Sequence, residues 1–119
     1  MEYTGERVIS GKKGLELLEL EHRTRYVLAR DYARGVHVLD LGTGSGYGAA
    51  LLAEVAEQVV GIDISPEAVK YAANAFGRPN LRFTEGDLCA ADLVERVRAV
   101  HPEPFGCITC FEVIEHIDE

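Results

Sequence analysis

The fold of this protein is decided by one stretch of its sequence, VLDLGTGSGYG at residues 38–48. A short apolar run over 36–41 leads into it, and residues 47–58 place apolar side chains at helical spacing. The sequence therefore predicts a buried strand, a tight loop and a helix in direct succession. The loop contains glycines at alternate positions: Gly42, Gly44, Gly46 and Gly48. Glycine allows backbone angles and a close ligand approach that a Cβ would prevent.

The alternation of strand and helix continues along the chain. After a lead-in helix over 15–33, in one or two pieces, strands are predicted over 36–41, 59–62, 81–83 and 105–111. Helices are predicted over 47–58, 65–76 and 92–100, with Ser65 as N-cap and Pro66 in the first helical position. Buried strands joined by helices form parallel sheets through right-handed crossovers. We therefore predict an α/β fold, a Rossmann-like parallel sheet with flanking helices and the strand order 3-2-1-4.

The chain divides into two predicted parts. Residues 1–35 form a lead-in with a helix, and residues 36–119 form the core of the Rossmann-like domain. Residues 115–119 follow the fourth strand where a further helix should begin, which predicts that the domain is truncated there and its C-terminal part missing. Such a fourth strand would have unpaired backbone groups. If the chain ends at Glu119, we expect self-association through this edge.

The glycines alone leave two ligands open. A glycine loop before a helix N-terminus can hold a dinucleotide pyrophosphate or the carboxylate end of S-adenosylmethionine (SAM). Gly44, Gly46 and Ala49 also satisfy the GxGxxA variant of the dinucleotide motif. The neighbouring acidic residues are therefore needed to separate the two ligands.

Three aspartates at the tips of successive predicted strands favour a nucleoside ligand without phosphate. Asp40, before the first glycine, would repel a pyrophosphate but suits a ligand with an ammonium and a sulfonium. Asp63 ends the second strand, where a carboxylate can accept both ribose hydroxyls, and Asp87 can accept a hydrogen bond from the adenine amino group. The alternatives are a structural role for Asp40 on the loop amides and turn roles for Asp63 and Asp87.

Four segments together resemble the successive SAM-binding motifs of class I methyltransferases. They are residues 38–48, GIDISP at 61–66, EGD at 85–87 and FEVIEH at 111–116. The lead-in, with GER at 5–7 and EHRTRY at 21–26, is similar to bacterial small-molecule methyltransferases of this superfamily. The sequence departs from the family pattern at Gly106, where many relatives have an aspartate, and in lacking three further strands of the common seven-stranded sheet.

The resemblance implies a SAM site around the glycine loop. It implies that Ile64 packs on the adenine and that Leu88 offers the adenine a backbone contact. The lead-in helix would cover the site, with Tyr26 or Arg23 near the methionine end. The predicted cofactor-binding residues are Asp40, Gly42, Thr43, Gly44, Gly46, Tyr47, Asp63, Ile64, Asp87, Leu88, Phe111, Tyr26 and Arg23.

Glu112, Glu115 and His116 have the spacing of one helical face just after the fourth strand. They are the candidate catalytic residues, because carboxylates and an imidazole can remove a proton from an acceptor hydroxyl or amine. The alternatives are a role in shaping the SAM site and a divalent-cation site. The spacing resembles the metal-binding turn of certain O-methyltransferases, but those relatives add a histidine where this chain offers Glu119, so no metal is predicted.

Composition argues against several classes of protein. The 119 residues carry a formal net charge of -8, which disfavours a general nucleic-acid-binding surface. No apolar run approaches the roughly 18 residues needed to cross a bilayer, and no signal-peptide pattern is present, so a cytoplasmic location is the default prediction. Cys107 and Cys110 have CxxC spacing, but on a strand they would point to opposite faces, and we expect buried small hydrophobic residues instead of metal ligands.

The sequence thus predicts a SAM-dependent methyltransferase, with S-adenosylhomocysteine as product, acting on an O, N or C atom of a small molecule. One alternative is a non-catalytic fragment or nucleotide-binding module. The other is an NAD-dependent oxidoreductase, which only the glycine loop and Asp63 support.

Overall fold

Parallel strands form the sheet of the computed structural model, which describes residues 11–111, with side chains from residue 21 onward. In chain order the strands are β1 (His37–Leu41), β2 (Gln58–Asp63), β3 (Leu81–Glu85) and β4 (Cys107–Thr109). Their order across the sheet is β3-β2-β1-β4, and each pairing is parallel. The predicted α/β Rossmann-like fold and its strand order 3-2-1-4 are confirmed.

The helices of the described region connect and flank these strands. They are α1 (Gly11–Ala33), α2 (Tyr47–Ala53), α3 (Pro66–Ala75) and α4 (Leu93–Val100). The start of α3 follows from its sequence, because Ser65 Oγ accepts a hydrogen bond from the Ala68 N–H at 3.1 Å and Pro66 occupies the first turn. None of the helices within residues 11–111 is long and apolar enough to cross a membrane.

The predicted bounds of two helices were wrong. α1 is one continuous helix that begins at Gly11, whereas the sequence predicted residues 15–33 in one or two pieces. α2 ends at Ala53, not at residue 58. The Asn80 side chain donates hydrogen bonds to the carbonyls of Ala53 and Ala56, at 2.9 and 3.2 Å, and so stabilises the turn that replaces the last predicted helical residues.

Strand β4 is shorter than the predicted strand over 105–111. It pairs with β1 over three residues, from Val38↔Cys107 to Asp40↔Thr109. Among the described residues β4 has a neighbouring strand on one side only. The side chain of Ile108, which points out of the plane of the sheet, is 61% exposed. Cys107 and Cys110 are free thiols and half-buried, whereas the sequence predicted buried side chains.

Alternate residues of β1 serve opposite faces of the sheet. Val38 belongs to the core beneath α1 and α2, whereas Leu39 belongs to a second core that includes Val97 of α4. Successive side chains of a strand alternate between faces, so Asp40 points to the same side as Val38. This register places an acidic side chain in the layer that α1 covers.

Candidate functional site

The glycine loop between β1 and α2 depends on backbone angles that favour glycine. Gly42, Gly44 and Gly46 have φ values of +69°, +61° and +92°. Gly46 is also confined, because an added Cβ would lie 2.7 Å from Ala72 Cβ and 2.9 Å from the Phe83 ring. The alternating glycines therefore let the loop turn tightly against α3 and β3.

Asp40 lies behind this loop and is completely buried. The Tyr26 hydroxyl lies 3.1 Å from both carboxylate oxygens, Thr43 Oγ donates to Oδ2 at 2.8 Å, and Thr109 Oγ donates to Oδ1 at 2.6 Å. Burial raises the pKa of Asp40 from 3.8 to about 6, although the three hydroxyl donors act in the opposite direction and the charge of Asp63 adds to the rise. At neutral pH the site therefore contains a buried negative charge held by neutral donors.

The contact between α1 and α2 holds Tyr26 over this carboxylate. Tyr26 is completely buried and makes edge-to-face contacts with Tyr47 and Phe111, at centroid distances of 5.8 and 4.8 Å. Gly48 makes room for the ring, because an added Cβ there would lie 2.3 Å from it. The fourth glycine of the loop motif thus serves helix packing.

Asp63 and Ile64 stand together at the carboxyl end of β2. Asp63 is half-buried, and its two oxygens accept hydrogen bonds from the backbone N–H groups of Gly44, at 2.8 Å, and Ser65, at 3.0 Å. Ile64, the next residue, is 64% exposed although it is apolar. A carboxylate beside an exposed apolar side chain can accept from a sugar hydroxyl while the apolar side chain covers the face of a base.

The remaining predicted cofactor residues lie at this end of the sheet or on α1. Asp87 follows β3, is exposed, and accepts a hydrogen bond from the Cys89 N–H at 2.9 Å. Leu88 is half-buried and packs against the core that includes Leu39. Arg23 is exposed on α1. The candidate catalytic residues Glu112, Glu115 and His116 lie outside the described residues.

Thr109 is a part of this site that the sequence did not predict. Its hydroxyl makes the shortest of the hydrogen bonds to Asp40, although 69 residues separate the two along the chain. The predicted strand order could have indicated such a contact, because β4 lies beside β1 in that order and one of its residues must therefore lie next to Asp40. The predicted lengths of β1 and β4 were too uncertain to specify that register.

The sheet order, the glycine loop and the acids at successive strand ends define a Rossmann-like α/β domain with a nucleoside-type ligand site. The sequence pattern of the methyltransferase domain family matches residues 38–119. The chain belongs to this family.

Several known proteins similar to this chain are named methyltransferases. Ubiquinone biosynthesis O-methyltransferase of Xanthomonas campestris is 34% identical over 100 residues, covering 82% of this chain and 39% of that protein. The protein of the same name from Thiobacillus denitrificans is 37% identical over 99 residues, covering 82% and 40%. A solved TehB-like SAM-dependent methyltransferase from Corynebacterium glutamicum has a TM-score of 0.61 at 26% identity, covering 82% of this chain and 48% of that chain. The chain spans about two fifths of the length of these two curated relatives.

These relationships confirm the predicted resemblance to class I methyltransferases. SAM is the cofactor that the family and the fold neighbours imply. The NAD-dependent alternative is therefore not retained, although the glycine loop alone fits the dinucleotide motif.

Proposed function

We propose that the protein transfers a methyl group from SAM to a hydroxyl oxygen of a small molecule. The single observation that carries the proposal is the convergence of Asp40, Asp63 and Asp87 on the carboxyl ends of adjacent strands around the glycine loop. Three carboxylates around the loop suit a nucleoside that carries an ammonium and a sulfonium, because they attract positive charge and repel phosphate. Similarity to proteins named O-methyltransferases supports oxygen as the acceptor atom.

The residues at the ends of β2 and β3 fit the adenosine part of SAM. In the proposal Asp63 accepts the two ribose hydroxyls, and Ile64 packs on one face of the adenine. Asp87 accepts from the adenine amino group, and the backbone of Leu88 provides a further contact. The 64% exposure of Ile64 supports this assignment, because a ligand there would cover an apolar side chain that is now exposed to solvent.

The residues beneath α1 fit the methionine part. The backbone of the loop from Gly42 to Gly46 would bind the carboxylate, while the buried charge of Asp40 attracts the ammonium. Tyr26 holds Asp40 in place through its hydroxyl at 3.1 Å. Tyr47, Phe111 and Arg23 would line the cover of this half of the site.

Methyl transfer needs mainly alignment of the acceptor and removal of its proton. SAM supplies an electrophilic methyl group when it is bound. We propose Glu112, Glu115 or His116 as the group that takes the acceptor proton, because their spacing in the sequence is that of one face of a helix. This role rests on the sequence.

Calorimetric titration of the intact natural protein with SAM, S-adenosylhomocysteine and NAD tests the cofactor site. We expect binding of the first two ligands, and about 10-fold or weaker binding of SAM by Asp63→Asn, since a hydrogen bond to a charged group contributes about 1.5–3 kcal/mol. The matched control is Glu57→Gln, an exposed acid just before the opposite end of β2. A preference for NAD, or unchanged SAM affinity of a folded Asp63→Asn protein, would contradict the proposal.

Transfer of the labelled methyl group of SAM to a panel of hydroxylated aromatic compounds and amines tests the acceptor. We expect label on oxygen. Label found only on amines or carbon atoms would exclude the hydroxyl acceptor while leaving the cofactor site intact.

The proposal also covers the location and the assembly of the protein. We propose a cytoplasmic location and, if the chain ends at Glu119, self-association through the edge of β4. Among residues 11–111, β4 has no second neighbouring strand, and this unpaired edge supports the second proposal. Sedimentation of a stable monomer at high protein concentration would count against it.

A further inference from the structure

Two histidines and a glutamate meet at the end of the sheet where β1 begins, opposite the glycine loop. His37 is the first residue of β1, and His101 is the C-cap residue of α4. Glu103 lies in the connection between α4 and β4. The methyltransferase site uses none of these side chains, because the five residues of β1, at about 3.3 Å each, separate His37 from the loop.

The donor atoms of the three side chains lie close together. His37 Nδ1 lies 2.7 Å from His101 Nε2, which in turn lies 3.7 Å from Glu103 Oε1. One ligating atom from each residue lies within 4.8 Å of the other two. A zinc–nitrogen distance of about 2.0–2.1 Å in a tetrahedral site separates two donors by roughly 3.3 Å. A small opening of the histidine pair would therefore accommodate one ion.

The surroundings of the cluster hold the ligands in place and leave access from solvent. His101 is 5% exposed and stacks on Phe105 at a centroid distance of 4.7 Å and an interplanar angle of 22°. The Glu103 side chain is 62% exposed, so an ion can enter from its side. Glu103 attracts a cation to His101, whereas the positive charge of Arg82 opposes one. Two imidazoles and a carboxylate are ligands that Zn²⁺ accepts, with water in a fourth position.

We propose that His37, His101 and Glu103 bind one divalent transition-metal ion, with Zn²⁺ as the favoured ion. The ion takes the place of the hydrogen between the two imidazole nitrogens, which lie 2.7 Å apart, and the ring that donated it carries its hydrogen on its other nitrogen instead. It links the end of α4 and the connection that follows it to the start of β1. This connection leads into β4, which carries Thr109, so the ion stabilises the position of β4 without touching the cofactor.

Metal titration of the intact natural protein tests the site. The protein is stripped with a chelator and titrated with ZnCl2 by calorimetry and with CoCl2 by visible absorption. We expect one ion per chain and four-coordinate cobalt with nitrogen and oxygen ligands. Loss of a group that merely orients a metal ligand lowers metal affinity by about 10–100-fold. We therefore expect at least this loss when a ligand itself is removed in His37→Gln, His101→Gln and Glu103→Gln.

The matched control is Glu95→Gln, an exposed acid on α4 outside the cluster, which should bind Zn²⁺ with unchanged affinity. If a histidine variant does not fold, the exposed Glu103→Gln variant still gives the answer. A second control, His116→Gln, separates this cluster from the group of Glu112, Glu115 and His116.

Three results would overturn the proposal. They are absence of Zn²⁺ binding, loss of binding in His116→Gln with binding retained in His101→Gln, and a thiolate-to-cobalt charge-transfer band. The last would assign the ion to the cysteines. None of these results depends on methyltransferase activity, so the metal site and the proposed function fail or succeed separately.

Discussion

The buried carboxyl group of Asp40 should make the protein less stable as the pH rises from about 4 to about 6. Burial is the largest influence on this group and raises its pKa from 3.8 to about 6. The folded protein therefore binds the proton more tightly than the unfolded chain does. The contribution of protonated Asp40 to the free energy of unfolding is fully present below pH 3.8 and decreases as the pH rises. It reaches its lowest value above about pH 6.

The size of the effect follows from the difference between the two pKa values. One pKa unit corresponds to about 1.36 kcal/mol. The rise from 3.8 to about 6 is about two units, so ionisation of Asp40 should lower the free energy of unfolding by about 3 kcal/mol. This is a large share of the roughly 5–15 kcal/mol by which a typical domain is stable.

Urea unfolding of the intact protein and of Asp40→Asn, measured between about pH 3.5 and 7.5, isolates this contribution. Other carboxyl groups titrate in both proteins and cancel in the difference. We expect the stability of the wild type relative to Asp40→Asn to fall by about 3 kcal/mol across this range. Asp31→Asn, which changes an acid whose side chain is 86% exposed, should show no comparable pH dependence.

A difference that does not change with pH would refute the reasoning. A difference that grows with pH would refute it more strongly, because it would mean that the pKa of Asp40 is lowered in the folded protein. A lowered pKa would require a cationic partner or stronger donors than the three hydroxyls of Tyr26, Thr43 and Thr109.

The same group should couple proton release to SAM binding. The ammonium of SAM favours the ionised carboxylate, so SAM affinity should increase as the pH rises through about 6. If the ligand restores the ordinary pKa, the increase reaches about 100-fold, since each unit corresponds to a factor of ten. Calorimetry in buffers of different ionisation enthalpy would detect the released proton, and Asp40→Asn should show neither effect.

Further predictions concern the groups around the site. Gly48→Ala should lower the free energy of unfolding by about 2 kcal/mol or more, because its Cβ would lie 2.3 Å from the Tyr26 ring, and this cost outweighs the better helix propensity of alanine. The control in the same urea assay is Gly77→Ala, where the atom nearest to the added Cβ is 3.9 Å away. Tyr26→Phe should raise the pKa of Asp40 further, because one hydrogen-bond donor to the carboxylate is lost. In urea unfolding at different pH values, the pH at which half of the stability change has occurred should then move upward. An unchanged value would mean that Tyr26 does not donate to Asp40. Ser65→Ala should cost about 1 kcal/mol in the same assay, whereas Ser65→Asp, which keeps an acceptor for the Ala68 N–H, should restore most of it.

Much of the architecture could be predicted because its signals are local. The apolar run into alternating glycines predicted β1, its loop and the start of α2, and Ser65 with Pro66 predicted the start of α3. The ends of elements were less predictable. The Asn80 side chain that stabilises the turn after α2 comes from residues far along the chain, so the helical periodicity of residues 47–58 could not reveal it.

The candidate site also has a part that the sequence predicted and a part that only the structure showed. The sequence placed acids at the ends of three strands, because a parallel sheet brings those ends to one edge. It could not show that Asp40 is enclosed, since its donors Tyr26 and Thr109 lie 14 and 69 residues away. Likewise, 64 residues separate His37 from His101, and neither has a neighbour in sequence that indicates the other.

The sequence by itself thus determined the class of fold, the order of the strands and the family to which the chain belongs. The fold class depends on periodicity and on residues that act on their own backbone, whereas the strand order and the family follow from the resemblance of its motifs to those of class I methyltransferases. The tertiary structure alone decided which carboxylate is buried, which hydroxyls hold it and which histidines meet. Burial and charge depend on what the other elements place around a group, and a pKa near 6 for an aspartate arises only when packing excludes water.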